Sequence, residues 1–228
     1  MTTGQGPLHD AAPGFPQPEL AAIWAQAKHR VIGRDGQMPW HCPADFAFFK
    51  EQTVGFPVIM GRSTWESFPA RFRPLPGRSN IVLSRTAAVG EHEGAWWAVD
   101  LPSALRLARQ APGGQERIWI LGGASLYREA LNARGLPEVQ GGRVLRVLVT
   151  ELGASVDGDA QAPVLGPEWQ CRELAAGTDE RAMIIPPQRP VRSGVRPDGA
   201  AAGEASEEGA AELVSHPLDY RFLEFTRR

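Results

Sequence analysis

The chain has 228 residues, of which 43% are hydrophobic, and its formal net charge is −2 at pH 7. This length suits one domain with additional segments, or at most two small domains. The near-neutral charge provides no chain-wide basic field for phosphate backbones, so we expect no nucleic-acid partner. Two cysteines and five scattered histidines predict neither a disulfide framework nor a bound metal. No apolar run is long enough to span a membrane, and the first 18 residues lack the charged and then apolar segments of a signal peptide. We therefore expect a soluble, cytoplasmic protein.

Two segments have the composition of chain that does not pack into a core. Residues 1–18 are rich in glycine and proline, and we expect a disordered N-terminal extension there. In residues 186–215, proline, glycine, alanine and glutamate replace the large apolar side chains, which predicts a flexible insertion. A strand-like run containing Tyr220, Phe222 and Phe225 follows, so this segment is internal to a domain that spans residues 19–228.

Between these segments, short apolar runs alternate with helical patterns, which is typical of an α/β domain. We expect one domain with a mostly parallel central sheet of about eight strands, helices on both faces and an antiparallel C-terminal edge hairpin. The predicted strands are residues 20–27, 57–60, 80–84, 95–99, 117–121, 143–150, 169–175 and 217–226. The predicted helices are residues 43–52, 62–68, 101–110 and 123–133.

The first of three strand-to-helix turns that could bind a ligand follows the apolar strand at residues 58–60. Gly61 ends this strand, and Arg62, Ser63 and Thr64 begin a helix. Free backbone N–H groups and the helix dipole favour an anion at such a position, and Arg62 would add a full charge. A simple N-terminal cap by Ser63 or Thr64 is the alternative.

The second strand exit carries two adjacent glycines. The strand ending at Leu121 runs into Gly122 and Gly123 and then into a helix. Glycines without a Cβ allow the backbone to lie against a pyrophosphate at the helix N-terminus. The turn lacks the G-x-G-x-x-G spacing and the downstream acid of a standard dinucleotide fingerprint, so a tight turn without a ligand is equally compatible.

The third strand exit places Ser84 and Arg85 after the apolar strand at residues 81–83. Arg62 and Arg85 leave the C-terminal ends of strands that we expect to be neighbours, where open α/β sheets bind their ligands. Two guanidinium groups that converge there would suit a 2′-phosphate. Solvated surface arginines are the alternative.

Asp45 lies in the first turn of a predicted helix that begins with Pro43. An aspartate at this position is commonly a dipole-stabilised cap. The neighbouring Phe46, Phe48 and Phe49 indicate instead a carboxylate on an aromatic face, where burial is costly unless a ligand binds it. A ring with adjacent N–H donors, such as a 2-aminopyrimidine, would supply two parallel hydrogen bonds.

Two loops complete the candidate site. Residues 33–40 carry glycines at both ends of a polar stretch, followed by Met38 and Trp40, and are typical of a mobile lid that closes on a ring system. Residues 74–77 form a proline-rich turn that presents Arg78, which could clamp a substrate carboxylate in bidentate fashion. A passive surface loop and a solvent-facing arginine are the alternatives.

Together these motifs resemble dihydrofolate reductase, and most closely its bacterial, actinomycete-type members. The resemblance extends in order from about Ile23 to Asp159, with the closing strand near residues 220–225. It rests on residues 31–33 (VIG), 38–40 (MPW), 43–45 (PAD), 58–62 (VIMGR), 64–67 (TWES), 74–78 (PLPGR), 80–85 (NIVLSR) and 122–123 (GG) with Tyr127.

The resemblance implies NADPH-dependent reduction of 7,8-dihydrofolate to tetrahydrofolate, with hydride transfer to C6 and protonation of N5. Such an activity supports one-carbon metabolism and thymidylate synthesis and is a target of antifolates. The resemblance also implies a cis peptide between Gly122 and Gly123 and dihydrofolate as the small-molecule partner. We expect a monomer.

Site residues follow from the resemblance position by position. The implied catalytic group is Asp45 with Trp40, Met38 and Thr150. Substrate binding is implied for Ile23, Ala25, Asp45, Phe46, Phe49, Leu75, Arg78 and Leu121. Cofactor binding is implied for Ala25, Ile32, Gly33, Gly61, Arg62, Ser63, Thr64, Ser84, Arg85, Gly122, Gly123, Ala124, Ser125, Leu126 and Tyr127.

Two other functions remain open at this point. A pyrimidine reductase of riboflavin synthesis would share the fold and the NADPH site, although Asp45 and Arg78 together favour folate. A non-catalytic nucleotide-binding module on the same scaffold is the second alternative. The insertion at residues 186–215 is expected in the last hairpin, away from every named site residue, so we expect activity to survive its deletion.

Overall fold

A computed structural model of the chain describes residues 17–187 and 217–228. Nearly all of the predicted N-terminal extension and of the predicted insertion lies outside the described residues. Within the described residues, no helix has both the length and the apolar character needed to cross a membrane.

Strands and helices alternate along the described chain. The strands are β1 (Glu19–Gln26), β2 (Val31–Gly33), β3 (Trp40–His41), β4 (Val58–Gly61), β5 (Asn80–Leu83), β6 (Gly90–His92), β7 (Ala95–Ala98), β8 (Arg117–Ile120), β9 (Val144–Leu152), β10 (Ala160–Gln161), β11 (Trp169–Asp179), β12 (Met183–Ile184) and β13 (Leu218–Arg227). The α-helices are α1 (Pro43–Thr53), α2 (Arg62–Ser67), α3 (Leu101–Gln110) and α4 (Ala124–Asn132).

Nine strands form the central sheet, in the order β11-β13-β9-β1-β8-β4-β5-β7-β6. The six strands from β9 to β7 are parallel to one another, so their C-terminal ends meet along one edge. At one side of the sheet, β13 is antiparallel to β9 and β11 is antiparallel to β13. At the other side, β6 is antiparallel to β7. Two short pairs, β10 with β2 and β12 with β3, lie outside this sheet.

Helices cover both faces of the sheet because successive strand residues point to opposite sides. In β1, Leu20, Ala22 and Trp24 belong to one buried cluster, which α3 and α4 complete. The intervening Ala21 and Ile23 belong to a second cluster, which receives Phe48 from α1 and Trp65 from α2. The site lies at the C-terminal edge of this second face.

The predicted α/β class, the mostly parallel sheet and the helices on both faces are confirmed. The sheet has nine strands where about eight were expected. The additional strand is β6, whose polar residues Gly90, Glu91 and His92 have no apolar alternation. This strand also makes the second sheet edge antiparallel. β11 runs to Asp179, past the predicted end at residue 175, because its last residues pair with β13 although alanine and glycine have weak strand preference.

Candidate active site

Three neighbouring strands bring the three predicted turns to one edge of the sheet. β8, β4 and β5 are adjacent and parallel. Beyond the end of β8, Leu121 N donates to Ile59 O at 2.8 Å, and Gly61 N donates to Gly122 O at 2.6 Å. The double-glycine turn and the turn that enters α2 are therefore joined by backbone hydrogen bonds.

The double-glycine turn needs glycine at its first position. Gly122 has φ +99°, and a Cβ built there would lie 2.6 Å from Cε2 of Tyr127. The Gly122–Gly123 peptide is cis, as the resemblance implied. Tyr127 is itself fixed, since its hydroxyl donates to Ile23 O at 2.7 Å. Burial, and secondly the nearby charge of Asp45, raise the pKa of Tyr127, so it stays a neutral donor.

Helix α2 begins without a side-chain cap. Its N-cap is Gly61, and neither Ser63 nor Thr64 caps the helix, so the capping alternative for this turn is wrong. Gly123 likewise begins α4 with no side-chain cap. Thr64 Oγ1 lies 3.4 Å from the position that a Cβ on Gly123 would occupy, which brings the two helix starts close together. Their free N–H groups are available to an anion.

The polar and charged side chains of these turns differ in whether they already have hydrogen-bond or ion-pair partners. Arg62 Nε donates to Glu66 Oε1 at 2.6 Å, and its Nη1 donates to Thr86 Oγ1 at 3.3 Å. Ser84 Oγ accepts from the N–H groups of Thr86 and Ala87. Arg85 is exposed and makes no side-chain hydrogen bond or ion pair within the described residues. Arg62 and Arg85 do leave neighbouring parallel strands as predicted, but only Arg85 is uncommitted.

The remaining predicted cofactor residues lie in the first turn of α4. Ala124 and Ser125 are the first two residues of the helix and directly follow the double-glycine turn. The Leu126 side chain is buried in the cluster on the opposite face of the sheet, and Tyr127 belongs to the same cluster.

Asp45 is a buried carboxylate and not a helix cap. It is 7% exposed, and its carboxylate accepts no backbone hydrogen bond from the described residues. Burial raises the pKa of Asp45 from its usual 3.8 to about 6, and the Thr150 hydroxyl offsets part of that rise. The cap alternative for Asp45 is therefore wrong. A buried acid with a pKa this close to neutrality is typical of a functional site.

Unpaired polar atoms accompany Asp45. Thr150, at 1% exposure, lies opposite Ala25 in the pairing of β9 with β1. Although its hydroxyl influences Asp45, Thr150 Oγ1 makes no hydrogen bond of normal geometry within the described residues. The indole nitrogen of Trp40, 2% exposed, also has no partner there. Buried polar atoms are nearly always paired, so these two atoms could each accommodate a water or a ligand group. Five other buried polar atoms of the described residues also lack a partner, so the buried Asp45 is what distinguishes this place.

An apolar wall adjoins this polar group. Four of the predicted substrate residues belong to the same buried or partly buried cluster, namely Ile23, Phe49, Leu75 and Leu121. Phe46 does not join them: it is 38% exposed and lies against His41, with ring centroids 5.1 Å apart. Phe46 thus lies outside the buried cluster, and its role in substrate binding stays a prediction.

Arg78 is held in place without an acidic partner. Its Nη1 donates to Thr53 Oγ1 at 3.0 Å, its Nε donates to Pro76 O at 3.0 Å, and its guanidinium carbon lies 5.5 Å from the Phe49 ring centroid. Burial lowers the pKa of Arg78. Within the described residues it forms no ion pair, so a positioned guanidinium is available at the end of the apolar wall.

The predicted lid at residues 33–40 contains a tight turn. Asp35 and Gly36 both have positive φ, and the N–H groups of Arg34 and Gln37 each donate to the other residue's carbonyl. Ile32 and Gly33 lie in β2, which pairs with β10. The partly buried Met38 packs on the cluster that contains Trp40 and Ala25.

The segment that leads into the insertion contacts this loop. Met183 and Ile184 pair with His41 and Trp40, and Ile185 N donates to Pro39 O at 3.0 Å. The predicted antiparallel pairing of the last two long strands is confirmed, and residues 186–215 fall between them in the sequence. Residues 183–185, which precede the predicted insertion, therefore lie beside the strand that carries Trp40. The expected distance of the insertion from the site residues stays a prediction, because nearly all of residues 186–215 lie outside the described residues.

Sequence reasoning missed two residues that shape the site. Phe222 lies opposite Thr150 in the β13–β9 pairing, and its ring stacks on Phe48 with centroids 4.1 Å apart. Asp179, at 7% exposure, binds the start of α1. No local signal distinguishes these residues, since each reaches the site through long-range pairing.

Comparison with known proteins gives one family. A family model described as dihydrofolate reductase matches residues 19–185. The chain is 42% identical to the dihydrofolate reductase of Mycobacterium leprae over 153 residues, which is 66% of this chain and 84% of that protein. It is 43% identical to the dihydrofolate reductase of Neisseria meningitidis serogroup A over 147 residues, 64% of this chain and 80% of that protein.

Among solved structures, the fold is similar to a dihydrofolate reductase from Enterococcus faecalis complexed with NADP(H) and RAB-propyl. The TM-score is 0.61 at 24% identity, and the match covers 93% of this chain and 98% of that one. This similarity extends over nearly the whole of both chains.

Proposed function

Since the chain belongs to the dihydrofolate reductase family, we propose that it reduces 7,8-dihydrofolate to tetrahydrofolate with NADPH. The observation that carries this proposal is the buried Asp45 carboxyl, which faces the unpaired Thr150 hydroxyl beside an apolar wall. A flat ring with N–H donors on one edge satisfies the carboxylate, and its faces bury against Ile23 and Phe49.

The residues present fit a phosphate-bearing dinucleotide. Two uncapped helix starts, at Gly61 and Gly123, offer free N–H groups. Arg85 offers an uncommitted guanidinium for a 2′-phosphate, with Arg62 beside it on the neighbouring strand. When bound, NADPH supplies the hydride that reduces C6 of the substrate. The chain's contribution is to hold the two rings in contact and to keep water from the reacting carbon.

Asp45 contributes to protonation of the substrate. With its pKa near 6, the carboxyl is mostly ionised at neutral pH but can take up a proton at modest cost. Its charge lies in a poorly solvated site, where it raises the basicity of the substrate's N5 and orients a water that delivers the proton. The Trp40 indole N–H and the Thr150 hydroxyl are the unpaired groups that hold such a water.

Arg78 is assigned to the glutamate portion of the substrate. The guanidinium lies at the end of the wall formed by Phe49 and Leu75, and it has hydrogen bonds that fix its orientation. A carboxylate there would form a charge-assisted, bidentate pair. Such a pair selects a substrate with an acidic tail and separates folate from the pyrimidine of riboflavin synthesis.

A single assay tests the proposal. Dihydrofolate is added to the purified full chain with NADPH, and the loss of NADPH absorbance is followed. We expect one NADPH oxidised per dihydrofolate consumed. Oxidation only with the ribosylaminopyrimidine substrate of riboflavin synthesis would contradict the proposal in favour of the related reductase, and no oxidation with either would favour a binding module.

We further propose that the protein acts as a monomer in the cytoplasm. The residues assigned to both ligands come from one chain, and none requires a second copy. Size-exclusion chromatography with light scattering should give the mass of one chain, and an active dimer that loses activity on dissociation would contradict this.

A further inference from the structure

Helix α1, which carries Asp45, is capped from a distant part of the chain. Its own N-cap residue, Cys42, makes no side-chain capping hydrogen bond. Instead, Ala44 N donates to Asp179 Oδ2 at 2.7 Å, across 135 positions of sequence. Ala44 directly precedes Asp45, so the hydrogen bond acts on the backbone that sets the direction of the Asp45 side chain.

The Asp179 carboxylate is built into this position. Asp179 is 7% exposed, and its second oxygen accepts from Arg181 N at 2.9 Å. The Cys42 thiol lies 3.9 Å from Oδ2. Burial by itself would raise the pKa of Asp179, but the N–H groups of Ala44 and Arg181, together with the Arg181 charge and the Cys42 thiol, outweigh it and keep the pKa below its usual value. The carboxylate is thus charged at neutral pH and fully engaged by the chain.

A second contact holds the same stretch of backbone. Past the turn that follows Asp179, β12 pairs with β3, so Met183 lies opposite His41 and Ile184 opposite Trp40. Residues 179–185 therefore hold residues 39–44 at both ends, through Asp179 at Ala44 and through Ile185 at Pro39. Asp45 is the next residue along the chain, and Trp40, whose indole nitrogen has no partner within the described residues, lies within residues 39–44.

We propose that Asp179 is a positioning residue for Asp45. Its hydrogen bond with the Ala44 N–H fixes the adjacent backbone, so that the Asp45 carboxylate is oriented toward the substrate. This proposal rests on the proposed reduction of dihydrofolate. Without the Asp179 carboxylate, the Ala44 N–H loses the acceptor that it has at 2.7 Å, and Asp45 gains freedom to move. A displacement of about 1 Å in a reacting group can cost up to about 100-fold in rate.

A cap that only stabilises the helix would behave differently, and α3 provides the matched case. There Asp100 is the N-cap, and Ser103 N donates to Asp100 Oδ1 at 2.8 Å. Asp100 is exposed and lies on an element of the other face of the sheet. Removal of either aspartate leaves a helix N-terminus uncapped, but only Asp179 is bonded next to Asp45.

The experiment compares Asp179→Ala, Asp179→Asn and Asp100→Ala in the full chain. For Asp179→Ala we expect kcat to fall about tenfold and KM for dihydrofolate to rise several-fold, while the Kd for NADPH stays within about twofold. Asp179→Asn keeps one acceptor oxygen and should recover part of kcat. Asp100→Ala should lower the melting temperature by a few degrees with kcat unchanged.

Three outcomes would overturn the role of Asp179: an unchanged kcat in Asp179→Ala, an equal loss of kcat in Asp100→Ala, or parallel losses of dihydrofolate and NADPH affinity. If Asp179→Ala does not fold, the isosteric Asp179→Asn carries the test, and a wild-type kcat and KM would then refute the proposal. A wild-type chain that does not oxidise NADPH with dihydrofolate would refute the proposed function instead, so the two failures are distinguishable.

Discussion

Replacement of Asp45 by asparagine should stabilise the ligand-free protein at neutral pH while it removes most of the activity. Burial raises the pKa of Asp45 from 3.8 to about 6. A shift of about two units corresponds to about 3 kcal/mol of unfavourable free energy for the ionised carboxylate in the folded state. The asparagine amide carries no charge and avoids this cost.

The sign follows from proton binding. Between pH values of about 4 and 6, the folded wild-type protein binds a proton at Asp45 that the unfolded chain has released, so its stability falls as the pH rises through this window. The Asp45→Asn variant lacks this loss. Its stability relative to the wild type should therefore increase by about 3 kcal/mol across the window and stay level above about pH 7.

Urea denaturation at a series of pH values, without ligands, measures this difference. Asp157→Asn is the matched control, because Asp157 is exposed and makes no side-chain hydrogen bond or ion pair within the described residues. The control should follow the wild type at every pH. A stability difference between Asp45→Asn and wild type that is the same at about pH 4 and pH 7 would refute the burial argument. Turnover at neutral pH should fall by about 100-fold or more, as expected when a group that assists proton transfer is lost.

Three further changes test the other parts of the site. Arg78→Gln should raise KM for dihydrofolate by about 10- to 100-fold through the loss of a charge-assisted pair, but not KM for an analogue without the glutamate carboxylates; equal effects on both would contradict the assignment. Arg85→Ala should raise KM for NADPH about tenfold and leave KM for NADH unchanged, and an identical change for both cofactors would exclude a contact with the 2′-phosphate. Gly122→Ala should destabilise the protein by about 2 to 4 kcal/mol in urea denaturation, because its Cβ meets Tyr127 and its φ is positive. Gly135→Ala is the control, with φ +68° and no neighbour within 4 Å, and should cost only about 1 to 2 kcal/mol; equal losses would remove the steric part of the argument.

The sequence predicted the elements whose pattern is local. Strands such as β1 and β8 are apolar along most of their length, and the helix predicted at residues 101–110 is α3 with the same bounds. The short strands β2, β3, β10 and β12 were not predicted, because two or three residues carry no periodic signal. They form only because distant segments meet, and they hold the loop at residues 33–40.

The same distinction applies to the site. Gly122 and Asp45 carry a local signal, since the glycine pair follows a buried strand and the acid stands among phenylalanines. The pKa of Asp45 could not be predicted, because it depends on burial in the folded protein and on the Thr150 hydroxyl of β9, which is distant in sequence. Asp179 has no local signal at all. It lies 135 positions from Ala44, and its role depends on where β11 ends.

The most direct test is a titration of the Asp45 carboxyl carbon by NMR in the ligand-free protein, with the resonance assigned by its loss in Asp45→Asn. A titration midpoint near 6 is the expected result, because the buried carboxylate then holds its proton almost to neutrality. A midpoint near 3.8 would mean that the Asp45 carboxyl is solvated as in an open chain, and it would contradict the role given to this residue.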